Sequence, residues 1–320
     1  MLWYFLVFIL VFSCIILSWL SSRLINSLVG IAKYLGWKEF IVAFFMMSFA
    51  ASLPNLFVDI NAVFQGVPEL AFGDIIGGNL VDLTLVLAVA VFFTKKGLGA
   101  EGKMVQQSAV FTAIIAILPL LLVLDGRLNR YDGIILIFSF MVYAAWLFSK
   151  KQRFQGIYKN DGKNIMQDFS GFLKNVLKIV VFLSLLLITS QVVVWSAQFF
   201  SDKLGISLAL VGILIVGLGN AFPEGYFAVV SAREGKSALV LGDLMGSVIV
   251  SATLVLGIIG LFFPFTITDF SPFLIARIFL IVAALLSFLF IKTGRKITKK
   301  EGLFLLLVYV VFLLVEIFIK

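Results

Sequence analysis

The chain is written in long apolar runs joined by short polar connectors, and the runs have the length a bilayer demands. Ten of them fall at about residues 2–20, 40–64, 70–94, 106–124, 132–149, 175–198, 206–232, 238–263, 272–291 and 303–319. Each comes near the roughly 20 residues an α-helix needs to cross about 30 Å of hydrocarbon. The pattern predicts an all-α polytopic membrane protein with ten transmembrane helices. The first run has no basic residue ahead of its apolar core and no small-residue cleavage site, and Val11, Phe12 and Ser13 before Cys14 fit a lipoprotein processing site poorly. It is therefore expected to be a retained helix.

The longest polar stretch, from Ser149 to Lys174, divides the ten runs into two groups of five. The expected organisation is a first five-helix repeat over 1–149, a basic cytoplasmic linker over 150–174 and a second five-helix repeat over 175–320. Five is odd, so the second half enters the membrane from the opposite side. The halves also repeat each other 169 positions apart without a gap. AASLPNLF (Ala50 to Phe57) answers GNAFPEGY (Gly219 to Tyr226), and GDIIGGNLVDLTLVL (Gly73 to Leu87) answers GDLMGSVIVSATLVL (Gly242 to Leu256). Span counting and motif spacing thus agree on two inverted repeats, an arrangement that places a binding site at the midplane between them.

Composition narrows the class further. With 62% hydrophobic and 13% charged residues the chain cannot be a water-soluble fold. One cysteine excludes an internal disulfide, and the absence of histidine removes imidazole from any metal site or proton relay, so ion chemistry must use oxygen. The net charge of +8 reflects topology and not nucleic-acid binding. All 25 lysines and arginines except Arg127, Arg130, Lys203, Arg277 and Lys320 fall on one side if both termini lie outside, as the positive-inside rule requires. The basic linker is too short to hold a folded regulatory domain and at most touches anionic lipid. No obligate protein partner is inferred, and short loops without a targeting segment suit a prokaryotic plasma membrane.

Within each repeat a proline interrupts an apolar helix. Pro54 and Pro223 have no N–H to donate, which frees backbone carbonyls and places the next side chain, Asn55 or Glu224, at the break. In the following helix Asp74, Gly78 and Asp82 recur at four-residue spacing along one face, and Asp243, Ser247 and Ser251 repeat that face. Asp82 falls mid-span, where a lone ionised carboxylate costs several kcal/mol unless it is paired, protonated or bound to a cation. Asp82 and Glu224 therefore read as ion ligands more readily than as polar glue. Asp74 and Asp243, nearer the helix starts, read equally well as caps, and Asp59 faces either the same cavity or the outer interface. Gly73, Gly77, Gly78, Gly242 and Gly246 read first as small residues that let helices approach. Ser52, Asn220, Asn79, Thr84 and Thr253 carry weak signals, because hydroxyls and amides usually bond within the bundle. An intramembrane protease needs a nucleophile with a base or a metal, and none is visible; no catalytic residue or resident cofactor is expected. A passive channel is disfavoured by the paired broken helices.

Ten spans arranged as inverted halves, with breaks resembling G-(T/S)-S-x-P-E followed by helices resembling G-N-x-x-G-S, resemble the sodium/calcium exchanger group of the cation/calcium antiporter superfamily. The resemblance implies a central cation site at Asn55, Glu224, Asp82 and Ser251, with flanking sodium ligands at Ser52, Ala221, Gly78 and Ser247. The chain departs from the family pattern at several of these positions. Asn55 and Ser251 replace acids, Ala221 and Gly78 lack hydroxyls, and Asp74 and Asp243 stand where asparagine is usual. Two central carboxylates still match one Ca²⁺, whereas fewer hydroxyls weaken the sodium set. The expected activity is alternating-access exchange of Ca²⁺ for Na⁺, with Glu224 and Asp82 binding either ion but never both, and spans 2–20 and 175–198 sliding as the gate. Exchange of Ca²⁺ or Na⁺ for H⁺, and a transport-silent homologue, are the alternatives.

Overall fold

The structure is a computed structural model that describes residues 8–13, 15–17, 19, 20, 23, 24, 27, 31, 52–149, 165–267 and 269–318. Of the second expected span only the part from Ser52 onward is described, as helix α1 (Leu53–Phe64). The first span is described in pieces, all helical from Phe8 to Leu20. Among the described residues eight helical segments are long and apolar enough to cross a membrane. They comprise α2 (Pro68–Phe92), α3 (Lys103–Leu122), α4 (Arg130–Ser149), α5 (Ile165–Leu204), the broken pair α6–α7 (Leu208–Arg233), α8 (Ser237–Phe262), α9 (Leu274–Gly294) and α10 (Lys299–Phe318). α6 ends at Asn220 and α7 begins at Phe222.

Helix α5 extends the sequence reading. Its 40 residues begin at Ile165, so the end of the expected linker is helical. At 1.5 Å per residue such a helix is about 60 Å long, twice the hydrocarbon thickness. Hydropathy marks only the lipid-embedded part of such a helix, and a polar helical extension leaves no apolar signal.

Two miniature antiparallel ribbons lock the halves together. β1 (Leu98–Gly99) pairs with β4 (Lys296–Ile297), and β2 (Arg127–Leu128) pairs with β3 (Phe265–Thr266). Each ribbon takes one strand from each repeat, and α3 runs from one ribbon to the other, so they lie at opposite ends of the bundle. Gly126 and its repeat counterpart Arg295 both adopt the left-handed conformation that turns the chain into a strand. The ribbons also sort the charges. Lys95, Lys96, Lys292, Lys299 and Lys300 cluster at the β1–β4 end. Arg233 joins that end by stacking on Phe93 at 4.5 Å.

The core has two parts. One is built mainly from α2, α3, α8 and α9, with Phe72 of α2 and Phe273, just ahead of α9, meeting edge to face. The other joins α1, α5 and α6 to Leu10, Leu17, Leu20 and Leu24 of the N-terminal segment. The first helices of the two repeats therefore share an apolar cluster at the side of the bundle.

Candidate cation site

The site begins with glycines. A Cβ on Gly73 would lie 2.5 Å from the Ala209 carbonyl oxygen, and one on Gly77 would lie 2.2 Å from that of Ile213. From the other helix, a Cβ on Gly212 would lie 2.5 Å from the Leu70 oxygen, and one on Gly217 would lie 2.6 Å from the Gly78 nitrogen. Helices α2 and α6 therefore cross backbone against backbone, as the small residues predict. This crossing carries Asp74 on α2 to Asn220 at the end of α6, whose Nδ2 donates to Asp74 Oδ2 at 2.6 Å.

Both broken helices behave as the prolines require. Pro54 and Pro223 sit in the first turns of α1 and α7, where a missing N–H costs nothing, and the break between α6 and α7 is confined to Ala221. Asn55 and Glu224 follow the prolines and are buried.

Opposite each break, the neighbouring helix contains a π turn. One spans Asp82–Val86 in α2 and the other Val250–Val255 in α8, at repeat-equivalent positions. α7 packs against the first and α1 against the second, so each half's break faces the other half's π turn. A π turn widens the helix by one residue and re-aims its side chains, and such turns concentrate at functional sites. Thr84 and Thr253 bond back to the carbonyls of Leu80 and Ile249 at these turns, and Ser287 of α9 donates to the Leu83 carbonyl at 3.0 Å. Sequence patterning has no signal for a π turn, because hydropathy is unchanged by it.

Around this frame the eight candidate residues divide. Glu224, Asp82 and Asp243 lie within electrostatic reach of one another, and Ser247 joins the first two. Its Oγ donates to Glu224 Oε1 at 3.2 Å and lies in hydrogen-bond reach of Asp82. Ser251 is turned to a different task, since its Oγ donates to Asn79 Oδ1 at 2.6 Å and bonds its own helix at Ser247 O. Asp74 lies with Asn220 and Asp59, away from the Glu224 group. Ser52 is buried beside Pro54. Asn79, Asn220 and Asp59 are the residues whose roles the sequence left open; all three are polar side chains in apolar runs, which is the only signal they carry.

Acceptors outnumber donors at the site. Asn55 Oδ1, Asp82 Oδ1, Glu224 Oε2 and Asp243 Oδ2 are buried with no donor. Such oxygens in a low-dielectric setting need a cation or a proton. Among the described residues no three acidic or cysteine side chains converge on one point, so a bound cation would draw amide, hydroxyl and carbonyl oxygens into its shell beside the carboxylates. Removing one such oxygen has a measurable cost. Ser247→Ala is expected to raise the half-saturating concentration of the bound cation about tenfold, roughly 1.4 kcal/mol, with little change in the number of ions bound at saturation. An unchanged concentration dependence would remove Ser247 from the site.

Two helical repeats, broken helices facing π turns across their interface and buried carboxylates at the junction are the features of a membrane-embedded cation transporter. The chain belongs to the sodium/calcium exchanger protein family, whose model matches residues 5–149 and 174–318. It is 25% identical to the sodium/calcium exchanger MaX1 of Methanosarcina acetivorans, over 93% of this chain and 95% of that one. Identity to the putative antiporter CaxA of Alkalimonas amylolytica is 22%, over 95% and 96%. Among solved structures the fold is similar to the sodium-calcium exchanger NCX_Mj soaked with Na⁺ and Sr²⁺, at a TM-score of 0.67 and 21% identity over 96% of each chain. It is also similar to native YfkE, at 0.70 and 17% identity over 95% of this chain and 90% of that one.

Proposed function

We propose that the protein exchanges Ca²⁺ for Na⁺ by alternating access, with Glu224 and Asp82 as the carboxylates that carry either ion. The observation that supports this most directly is the meeting of one carboxylate from each repeat across Ser247, with an acceptor oxygen on each left without a donor. Two negative charges are neutralised by one Ca²⁺ or by two Na⁺, and a site left with two bare carboxylates resists burial between the halves. Occlusion of the loaded site alone couples the two fluxes. Asn55 and Ser52 would complete the shell on the α1 side, and Asp243 would raise the local negative potential on the α8 side.

The name of the Methanosarcina relative supports Na⁺ as the counter-ion. Gly78 and Ala221, which offer no hydroxyl where the family has one, favour H⁺ as the second reading. The β1–β4 end, rich in lysine, would face the cytoplasm, with both termini outside. The apolar cluster that joins the N-terminal segment to α5 would slide as one gate over the fixed core.

Uptake of ⁴⁵Ca²⁺ into proteoliposomes separates these readings. An outward Na⁺ gradient is expected to drive uptake and an outward H⁺ gradient is not. Uptake that follows the H⁺ gradient alone would replace Na⁺ with H⁺ as the exchanged ion, and no uptake under either would leave Na⁺/H⁺ exchange or a silent homologue.

A further inference from the structure

We propose that Asp59, Asp74 and Asn220 form a second cation-binding site, separate from the Glu224 group, that holds one Ca²⁺ in the half of the core next to the α1–α2 turn. Three elements build it. Asp59 lies on α1 one turn beyond Asn55, Asp74 lies on the second turn of α2, and Asn220 closes α6. The two carboxyls come within hydrogen-bond reach of each other. Neither carries a donor when ionised, so only a proton or a cation reconciles them.

The oxygens left over point to a cation. Both Asp59 oxygens, Asp74 Oδ1 and Asn220 Oδ1 are buried without a donor. Asn220 is 3% exposed and its Nδ2 is already committed to Asp74 at 2.6 Å, so its Oδ1 is held on the same amide beside the pair. The cluster thus offers four acceptor oxygens without a donor, while its amide nitrogen is directed at Asp74 Oδ2. Among the described residues the ion pair present joins Lys236 and Glu234 in the exposed α7–α8 turn, so no base neutralises the two aspartates. Two facing carboxylates match a divalent charge, and flexible hard-oxygen sites of this kind favour Ca²⁺ over Mg²⁺, which holds its waters in a strict octahedron.

Comparison of the repeats argues against a packing role. Asp59 corresponds to Ala228 and Asn220 to Ala51, so the same fold is built once with this cluster and once without it. Asp243, the counterpart of Asp74, has no such partners and joins the Glu224 group instead. The chain therefore carries acid on one side of the centre that its own internal symmetry does not require.

The site stands apart from the Glu224 reading and either can fail alone. Equilibrium ⁴⁵Ca²⁺ binding to the purified full chain in detergent is expected to give two ions per chain in wild type, one in Asp59→Asn, one in Glu224→Gln and none in the double variant. Asp59→Ala, the side chain the second repeat tolerates at this place, provides a second variant if the amide disturbs folding, and elution as a single symmetric gel-filtration peak qualifies each protein. One ion in wild type that Glu224→Gln abolishes and both Asp59 variants retain would overturn this site and leave the central one standing. One ion that the Asp59 variants abolish and Glu224→Gln retains would do the reverse, and no binding at all would overturn both.

Discussion

Glu224→Gln is expected to reduce Na⁺-driven Ca²⁺ uptake to the level of protein-free vesicles, a fall of at least about 100-fold. The substitution keeps the shape of the side chain and an oxygen able to accept from Ser247 Oγ, which lies 3.2 Å from Oε1 in the wild type. It removes one of the two charges that would hold the central ion on the proposed reading. With Asn55 already neutral at the repeat-equivalent position, no second glutamate remains at a break to take over. Asp82 is then the one carboxylate left within hydrogen-bond reach of Ser247, with Asp243 acting from further off, so the divalent ion loses a direct charged ligand and its occlusion becomes costly. Folding runs the other way. A buried carboxylate without a donor on Oε2 is a burden on the ion-free protein, and the amide relieves it. The variant should therefore melt at or above the wild-type temperature in chelator while being transport-dead. A variant that transports at a tenth of the wild-type rate or better would mean that Glu224 is not the principal ligand.

The frame of the fold is legible in the sequence for a physical reason. Bilayer thickness fixes span length, and inverted repetition with equal spacing fixes how the halves meet, so the boundaries at Pro68, Ser237 and Lys299 fall within a few residues of the expected spans. The prolines, and with them Asn55 and Glu224, were visible because Pro is one of the few residues whose backbone chemistry alone dictates geometry. The division of the acids was not visible. Asp74 and Asp243 occupy equivalent positions in sequence, yet one joins Asp59 and Asn220 and the other joins Glu224, because the residues on equivalent helices differ: Ala228 and Ala51 stand where Asp59 and Asn220 do, and Asn55 stands where Glu224 does. Ser251 illustrates the same limit. Its spacing puts it on the ligand face with Ser247, but its hydroxyl bonds Asn79, a residue of the opposite half. Spacing within one helix reveals which face a residue occupies; it does not reveal what the other repeat brings to that face.

The glycine crossing of α2 and α6 yields the second large effect. Gly77→Ala is expected to lower the melting temperature in detergent by roughly 5–10 °C, from about 3 kcal/mol of overpacking. The new Cβ would meet the Ile213 carbonyl oxygen at 2.2 Å and its Cα at 2.7 Å, and neither atom can rotate away as a side chain would. Relief requires α6 to move off α2, which displaces Asn220 from Asp74 and shifts the break at Ala221 that orients Glu224. Transport should fall together with stability. Gly78→Ala supplies the contrast one position away. Its Cβ would find the Gly217 oxygen at 3.8 Å, an ordinary van der Waals distance, and alanine is the better helix former. Its melting temperature should equal or slightly exceed that of the wild type. Both variants remove one glycine from the same helix, so helix propensity and lipid exposure cannot account for opposite outcomes; only the distance across the α2–α6 crossing differs. Equal melting temperatures for the two would mean that the helices are not held at backbone contact, and the positions of Asp74 and Asn220 that depend on that contact would have to be redrawn.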